Sequence, residues 1–281
     1  MDGTLVRDVM VGDVAYVTIP GYRDEVLKVL KERWVSGVPV LKGGKVVGMV
    51  TRTDLLRNPE EDQIAMLMTR NPYTVRPDQT LVEAARLLAD HDIRRLPVVE
   101  DSRLVGIITV ADVIRAISEM DLDMPIDRHF QRGVVVVWDE MPLPVAGAVM
   151  EYAAVQASPV INSQLQLVGM VSDRDLIAKS IIEETVERAD MNSGPEMDEW
   201  SWESKETMSR FYQVSRITLR NILVSEAMVK AITAIKSSKV SECAMIMRRN
   251  KIDQLPVVSS HQKLIGLLTD RNLIQAMIMS S

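Results

Sequence analysis

Four short segments of the chain place a hydroxyl residue three positions ahead of an acid or its amide: Thr51 and Asp54, Thr109 and Asp112, Ser172 and Asp175, Thr269 and Asn272. Each stands where an apolar run gives way to a helical pattern, so each reads as a capping box. The hydroxyl oxygen accepts a first-turn backbone N–H, and the acid lies beside the positive end of the helix. The same corner has binding chemistry. First-turn N–H groups suit phosphate oxygens, and a carboxylate there can accept from both hydroxyls of a sugar diol. Arg94 and Arg95 precede the second corner, and a guanidinium fork makes parallel charge-assisted bonds to phosphate. No residues are arranged as a nucleophile with its base, a phosphate-binding Walker loop, a dinucleotide glycine motif or a carboxylate pair. No catalytic residue is therefore nominated, and the chain reads as a binding protein rather than an enzyme.

The corners recur inside a longer repeat. Each copy has a strand with Pro-Val in it, at Pro39, Pro97, Pro159 and Pro256, followed by a glycine, Gly48, Gly106, Gly169 or Gly266, that leads into the hydroxyl and the acid. In the second copy Thr80 and Glu83 form a further capping signal, and Leu81, Ala84, Ala85 and Leu88 recur at helical spacing up to about His91-Asp92. Branched runs at 96–99 and 104–108 then predict a hairpin, and 112–117 a second helix. One unit is thus strand, helix, strand, strand, helix. The fourth copy keeps this frame with Val240, Cys243, Ala244 and Met247 on its helix face, which makes Cys243 a small core residue. Pro142 and Pro144 predict a late or irregular helix start in the third copy. Between the third and fourth copies lies an insertion, 184–221, with Trp200, Trp202, Phe211 and Tyr212 among many charges, a turn at Asn192-Ser193-Gly194-Pro195 and a candidate strand at 217–219.

The whole chain of 281 residues suggests two domains, and 47% hydrophobic with 26% charged residues is the balance of a folded protein. A net charge of −6 gives no general attraction to nucleic acid or anionic lipid. The longest apolar run, 134–138, is too short for a bilayer, and Met1-Asp2-Gly3 opens no secretion signal, so a cytoplasmic location is expected. A single cysteine and three histidines point to neither an internal disulfide nor a metal site.

On these motifs the repeat resembles the CBS domain, named after cystathionine beta-synthase. The segments Val6–Met10, Ile64–Met68 and Val224–Met228 resemble the family's opening, and Ile126–Phe130 is a degenerate version of it. The resemblance implies an α/β (α+β) fold of four tandem CBS repeats, paired into two pseudo-twofold Bateman modules. These are 1–120, with repeats 1–60 and 61–120, and 121–281, with repeats 121–183 and 222–281 around the insertion. The organisation is similar to the gamma subunit of AMP-activated protein kinase. The function implied is that of a regulatory energy sensor that takes AMP, ADP, ATP or S-adenosylmethionine as a regulatory ligand, with no catalytic cofactor. By the same resemblance the second copy holds the fullest set: Thr74, Arg94, Arg95, Thr109 and Asp112. The first offers Thr51 and Asp54, with Tyr16 in the place of Thr74, and the third Ser172 and Asp175, with phosphate left to Arg52 or Arg174. The fourth offers Thr233 and Thr269, with Asn272 in place of the acid. His91 is read as an ordinary helix-end residue. A protein partner at the insertion, a homodimer, an adaptor with vacant clefts and a regulatory partner of a separate enzyme are the further expectations.

Overall fold

The computed structural model describes residues 3–58, 60–189 and 210–280. The first repeat runs through α1 (Val6–Val9), β1 (Val17–Thr18), α2 (Arg23–Glu32), β2 (Gly37–Lys42), β3 (Lys45–Thr51) and α3 (Arg52–Arg57). The second has α4 (Ile64–Leu67), β4 (Thr69–Arg70), α5 (Leu81–Asp90), β5 (Arg95–Glu100), β6 (Arg103–Thr109) and α6 (Val110–Glu119). The third has β7 (Val137–Trp138), α7 (Leu143–Tyr152), β8 (Ala157–Ile161), β9 (Leu167–Ser172) and α8 (Asp173–Ala178), after which β10 (Ser180–Ala189) and β11 (Arg210–Leu219) form an antiparallel ribbon. The fourth has β12 (Ala234–Ile235), α9 (Val240–Asn250), β13 (Gln254–Val258), β14 (Leu264–Thr269) and α10 (Asp270–Met279).

Local chemistry explains the helices. On α5 the Thr80 hydroxyl accepts from the Glu83 N–H at 3.2 Å, and the Glu83 carboxylate accepts from the Thr80 N–H at 2.7 Å, closing the capping box. Leu81, Ala84, Ala85 and Leu88 are buried on one stripe, as their spacing predicts. The helix stops where Asp92 takes a left-handed conformation, φ +55°, and Trp34, Ala154 and Lys251 do the same at the equivalent point of the other repeats. The expected irregular start of the third copy is not found. Leu143 opens α7 in register with Leu81 on α5, because Pro142 is the N-cap and Pro144 lies in the first turn, where a missing N–H breaks no helical bond.

The motif glycine is explained by a neighbour. Met68, from the second repeat's opening, fills the space over Gly48, and Met10, from the first repeat's opening, fills that over Gly106. Met228 covers Gly169 and Phe130 covers Gly266 in the same way, leaving no room for a Cβ at any of the four. The opening Ile126–Phe130 is thus degenerate in sequence only, since the Phe130 ring takes the place of methionine. Main-chain pairing holds these segments, with Val11 on Ile107, β4 on β3, Gln131 on Leu267 and Val229 on Met170.

The chain forms two compact units, one of Met1–Arg132, Ile232–His261 and Ile265–Ser281, the other of Gly133–Ala231 and Gln262–Leu264. In the first, strands run in the order β1-β2-β3-β6-β5, with the two hairpins joined at Lys45 and Arg103. One core spans the second and fourth repeats, where α6 lies against α9 and α10 against α5 and α6. A smaller core around Val26, Val40, Val50 and Ile64 lies beneath the first repeat. The second unit has the sheet β7-β8-β9 over a core of Leu143, Met150, Val160, Val171 and Val224. Of the insertion, Phe211 and Tyr212 lie in β11, opposite Arg188 and Glu187, and 217–219 is strand, while Trp200, Trp202 and the Asn192–Pro195 turn fall outside the described residues.

Candidate functional site

All four corners, three with an acid and one with an amide, form capping boxes at helix starts. Asp54 Oδ2 accepts from the Thr51 N–H at 2.8 Å and the Thr51 hydroxyl at 2.6 Å, and Asp112 does the same for Thr109 at 3.0 and 2.6 Å. Asp175 serves Ser172 at 2.9 and 2.5 Å. Asn272 Oδ1 serves Thr269 at 2.9 Å twice, so an amide replaces the acid in the cap without loss of a bond.

What surrounds the four corners differs. Asp112 is committed: its second oxygen, Oδ1, pairs with Arg115 at 3.1 Å, and Arg115 in turn donates to the Val9 carbonyl at 2.7 Å. Asp54 has no ion pair among the described residues. Its charge acts on Arg95, which extends from the start of β5 away from its own repeat and donates to the Ser36 hydroxyl at 2.6 Å. The guanidinium lies on Gly37 beside the Thr51 methyl, and any Cβ at Gly37 would occupy its place. Its Nη1 is buried without a hydrogen-bond partner. Burial, and then the neighbouring Arg94, lower the proton affinity of Arg95 below the ordinary arginine value, with Asp54 opposing them. The corner is therefore a partly desolvated cation lacking a full counter-charge, flanked by two hydroxyls and one carboxylate. Such a group attracts an anion.

Arg94 turns the other way. It pairs with Asp270, the first residue of α10, at 2.7 Å, and the Asp270 side chain is only 8% exposed. Burial raises the Asp270 carboxyl above its ordinary value, opposed by Arg94. The set expected around the second corner is thus divided: Thr109 and Asp112 stay together, Arg95 joins Thr51 and Asp54, and Arg94 joins the fourth repeat. The signal in the sequence was the pair Ser36-Gly37, in register with Arg94-Arg95, where glycine makes room for a guanidinium from the partner repeat. At the place of Arg95 the third and fourth repeats carry Ala157 and Gln254, and the Gln254 Oε1 is buried without a partner.

The remaining candidates sit on the leading segments. Thr74 is half-buried and precedes Val75, whose N–H donates to the Pro97 carbonyl at 3.1 Å and whose carbonyl accepts from Val99 at 2.8 Å. Thr233 precedes Ala234, which pairs in parallel with Val257. His91 is the C-cap of α5, stacked on Tyr73 with ring centroids 3.7 Å apart. Cys243 is fully buried, and that burial pushes its thiol up to about 12. Among the described residues there is no cluster of His, Cys, Asp and Glu able to hold a metal ion, and no helix long and apolar enough to cross a membrane.

Known proteins place this architecture. A conserved protein of Pyrococcus horikoshii superposes with a TM-score of 0.71 at 27% identity, over 98% of this chain and 100% of that one. Protein MJ1225 of Methanocaldococcus jannaschii shares the fold, with a TM-score of 0.65 at 21% identity over 98% and 100%. In sequence, Bacillus subtilis YlbB is 32% identical over 118 residues, 39% of this chain and 80% of YlbB. A homoserine O-acetyltransferase of Methanohalobium evestigatum is 33% identical over 120 residues, 41% of this chain but only 24% of that enzyme. The CBS domain family model matches residues 6–61, 63–119, 128–181 and 224–279. Four matched segments, each with the capped corner and the covered glycine, show that the chain belongs to the CBS domain family.

Proposed function

We propose that this chain is a non-catalytic, intracellular sensor of adenosine-containing nucleotides, with its working site at the corner shared by the first two repeats. The observation that carries this reading is Arg95, which reaches from the second repeat to Ser36, Gly37 and Thr51 of the first, is half-buried, and has its Nη1 enclosed without a hydrogen-bond partner. The Asp54 Oδ1 is then available to a ribose diol, and Arg95 to a phosphate. Occupancy is transmitted from the first two repeats, 1–120, to the rest of the chain. A ligand does so only by the difference in its affinity for two arrangements of the chain. The arginine favours AMP, ADP or ATP over S-adenosylmethionine, whose sulfonium brings positive charge.

Calorimetric titration with these four compounds and with adenosine tests the proposal. Binding of the phosphorylated ligands, weakened at least tenfold in Arg95→Ala, is the expected result. Heat with none of them, and no thermal stabilisation, would leave the adaptor reading, in which a protein partner engages the insertion at 184–221.

A further inference from the structure

The groove between the two helices of a repeat is filled in the second repeat and open in the third. In the second, α9 and α10 of the fourth repeat lie against α5 and α6, and Ile114 and Ile274 are 5% and 1% exposed. Asp270 pairs there with Arg94 and Arg271 with Asp92, while Gln275 lies across a crevice from Arg86 and Ala89. The groove of the third repeat, between α7 and α8, has a volume of about 750 Å³ and is lined by Gly147, Glu151, Gln156, Asp173, Leu176 and Leu219. Ile177, in register with Ile114 and Ile274, is 71% exposed beside it. The first repeat carries a matching exposed surface. Leu27 of α2 is 47% exposed where Ala85 and Ala244 are fully buried, and Trp34, in the place of Asp92, is 94% exposed. Contiguous apolar surface of this kind marks a contact with another chain.

We propose that the groove of the third repeat receives the first repeat of a second copy of this chain, with α3 lying on α7 as α10 lies on α5. Register then sets the contacts. Arg57, in the place of Gln275, meets Glu151, in the place of Ala89. Arg52, in the place of Asp270, meets Gln156, in the place of Arg94, and the amide oxygen accepts from the guanidinium. The contact between the second and fourth repeats has two equivalent halves, α10 on α5 and α6 on α9. In the other half, Arg174, in the place of Arg271, meets the ring of Trp34 as a cation–π pair. Charge selects this pairing. Two first repeats face to face would set Arg57 against Lys28 and Lys31, and two third repeats would set Ala178 against Glu151 and Arg174 against Ala154, with no attraction gained. Two copies related by a twofold axis make the contact twice, each giving its first repeat to the other's third, which closes the assembly at a dimer. The inference is independent of the nucleotide reading.

Sedimentation of the full chain tests this. The unmodified protein should sediment as a dimer, at twice the 31.5 kDa of one chain. Glu151→Lys and Arg57→Glu should each weaken that dimer about tenfold or more. Both residues are exposed, so each variant should keep a cooperative melt. An equimolar mixture of the two variants should dimerise again, because the new lysine of one chain meets the new glutamate of the other while the second contact keeps Arg57 with Glu151. Ile177→Glu, beside the same groove, should dissociate the dimer without a charge partner to restore it. A monomeric unmodified chain overturns the proposal, whether the groove is empty or filled from within the same chain. A dimer that survives Ile177→Glu or both charge variants, or a mixture that stays monomeric, overturns the pairing of first repeat with third.

Discussion

At the scale of the residue, the position of a charge and the company it keeps decide its role. Asp54 and Asp112 make the same capping bonds, yet Asp112 spends its second oxygen on Arg115 while the charge of Asp54 acts on a cation that has no carboxylate of its own. Asp54→Ala should therefore weaken AMP by roughly 1–3 kcal/mol, the range for a lost charged hydrogen bond, whereas Asp112→Ala should lower stability by about 1 kcal/mol and leave AMP affinity nearly unchanged. Calorimetry and thermal melts on the two variants separate these effects. Cys243 gives a second expectation. Its thiol is raised from 9.0 to about 12 by burial, so the native protein should resist a thiol reagent that labels the unfolded chain. The folded state keeps a proton that the unfolded thiol releases, so this contribution to stability is complete below pH 9 and declines as pH rises from 9 towards 12. A Cys243→Ala variant should show a shallower alkaline decline in denaturant titrations.

At the scale of the element, each repeat is finished by its partner. The openings that carry Met10 and Met68 lie over Gly106 and Gly48, so a methyl group at either glycine collides with a methionine thioether or forces it aside. Gly106→Ala should destabilise the protein by about 1–3 kcal/mol, the usual cost of overpacking, and Met10→Ala in the same chain should recover part of that loss. Urea denaturation of the single and double variants reads this directly. Full additivity of the two substitutions would show that the methionine is not what the glycine accommodates. Prolines at an N-cap and in a first turn are compatible with a regular helix, and the register of the repeat was a better guide than the prolines.

At the scale of the whole molecule, the largest core joins the second repeat to the fourth, which are far apart in the chain. Val113 and Ile117 of α6 share it with Met247 of α9 and Leu273 of α10. Met247→Ala should cost about 2–5 kcal/mol and lower amide protection on α6 as well as on α9. Met150→Ala, in the separate core of the third repeat, should leave α6 protection unchanged. Hydrogen exchange followed on both helices distinguishes the two. Two ion pairs, Arg94 with Asp270 and Arg271 with Asp92, also join these two repeats.

The chemistry of the corners belongs to the sequence itself. Their hydroxyl and acid are three residues apart, and a capping box needs only local backbone to form. The four-copy register, the helix stripes and the core place of Cys243 are equally local or periodic, and they stand as the residues alone imply. Which corner owns the cation was decided by tertiary structure. Arg94 and Arg95 are neighbours in the chain, but successive residues at a strand end point to opposite sides, and each meets a different repeat. The site around Thr51 and Asp54 is thus completed from the second repeat, through the space left at Gly37, and the fourth repeat holds the other arginine through Asp270. Those contacts join residues brought together only by the packing of repeats, a long-range property that no local spacing encodes.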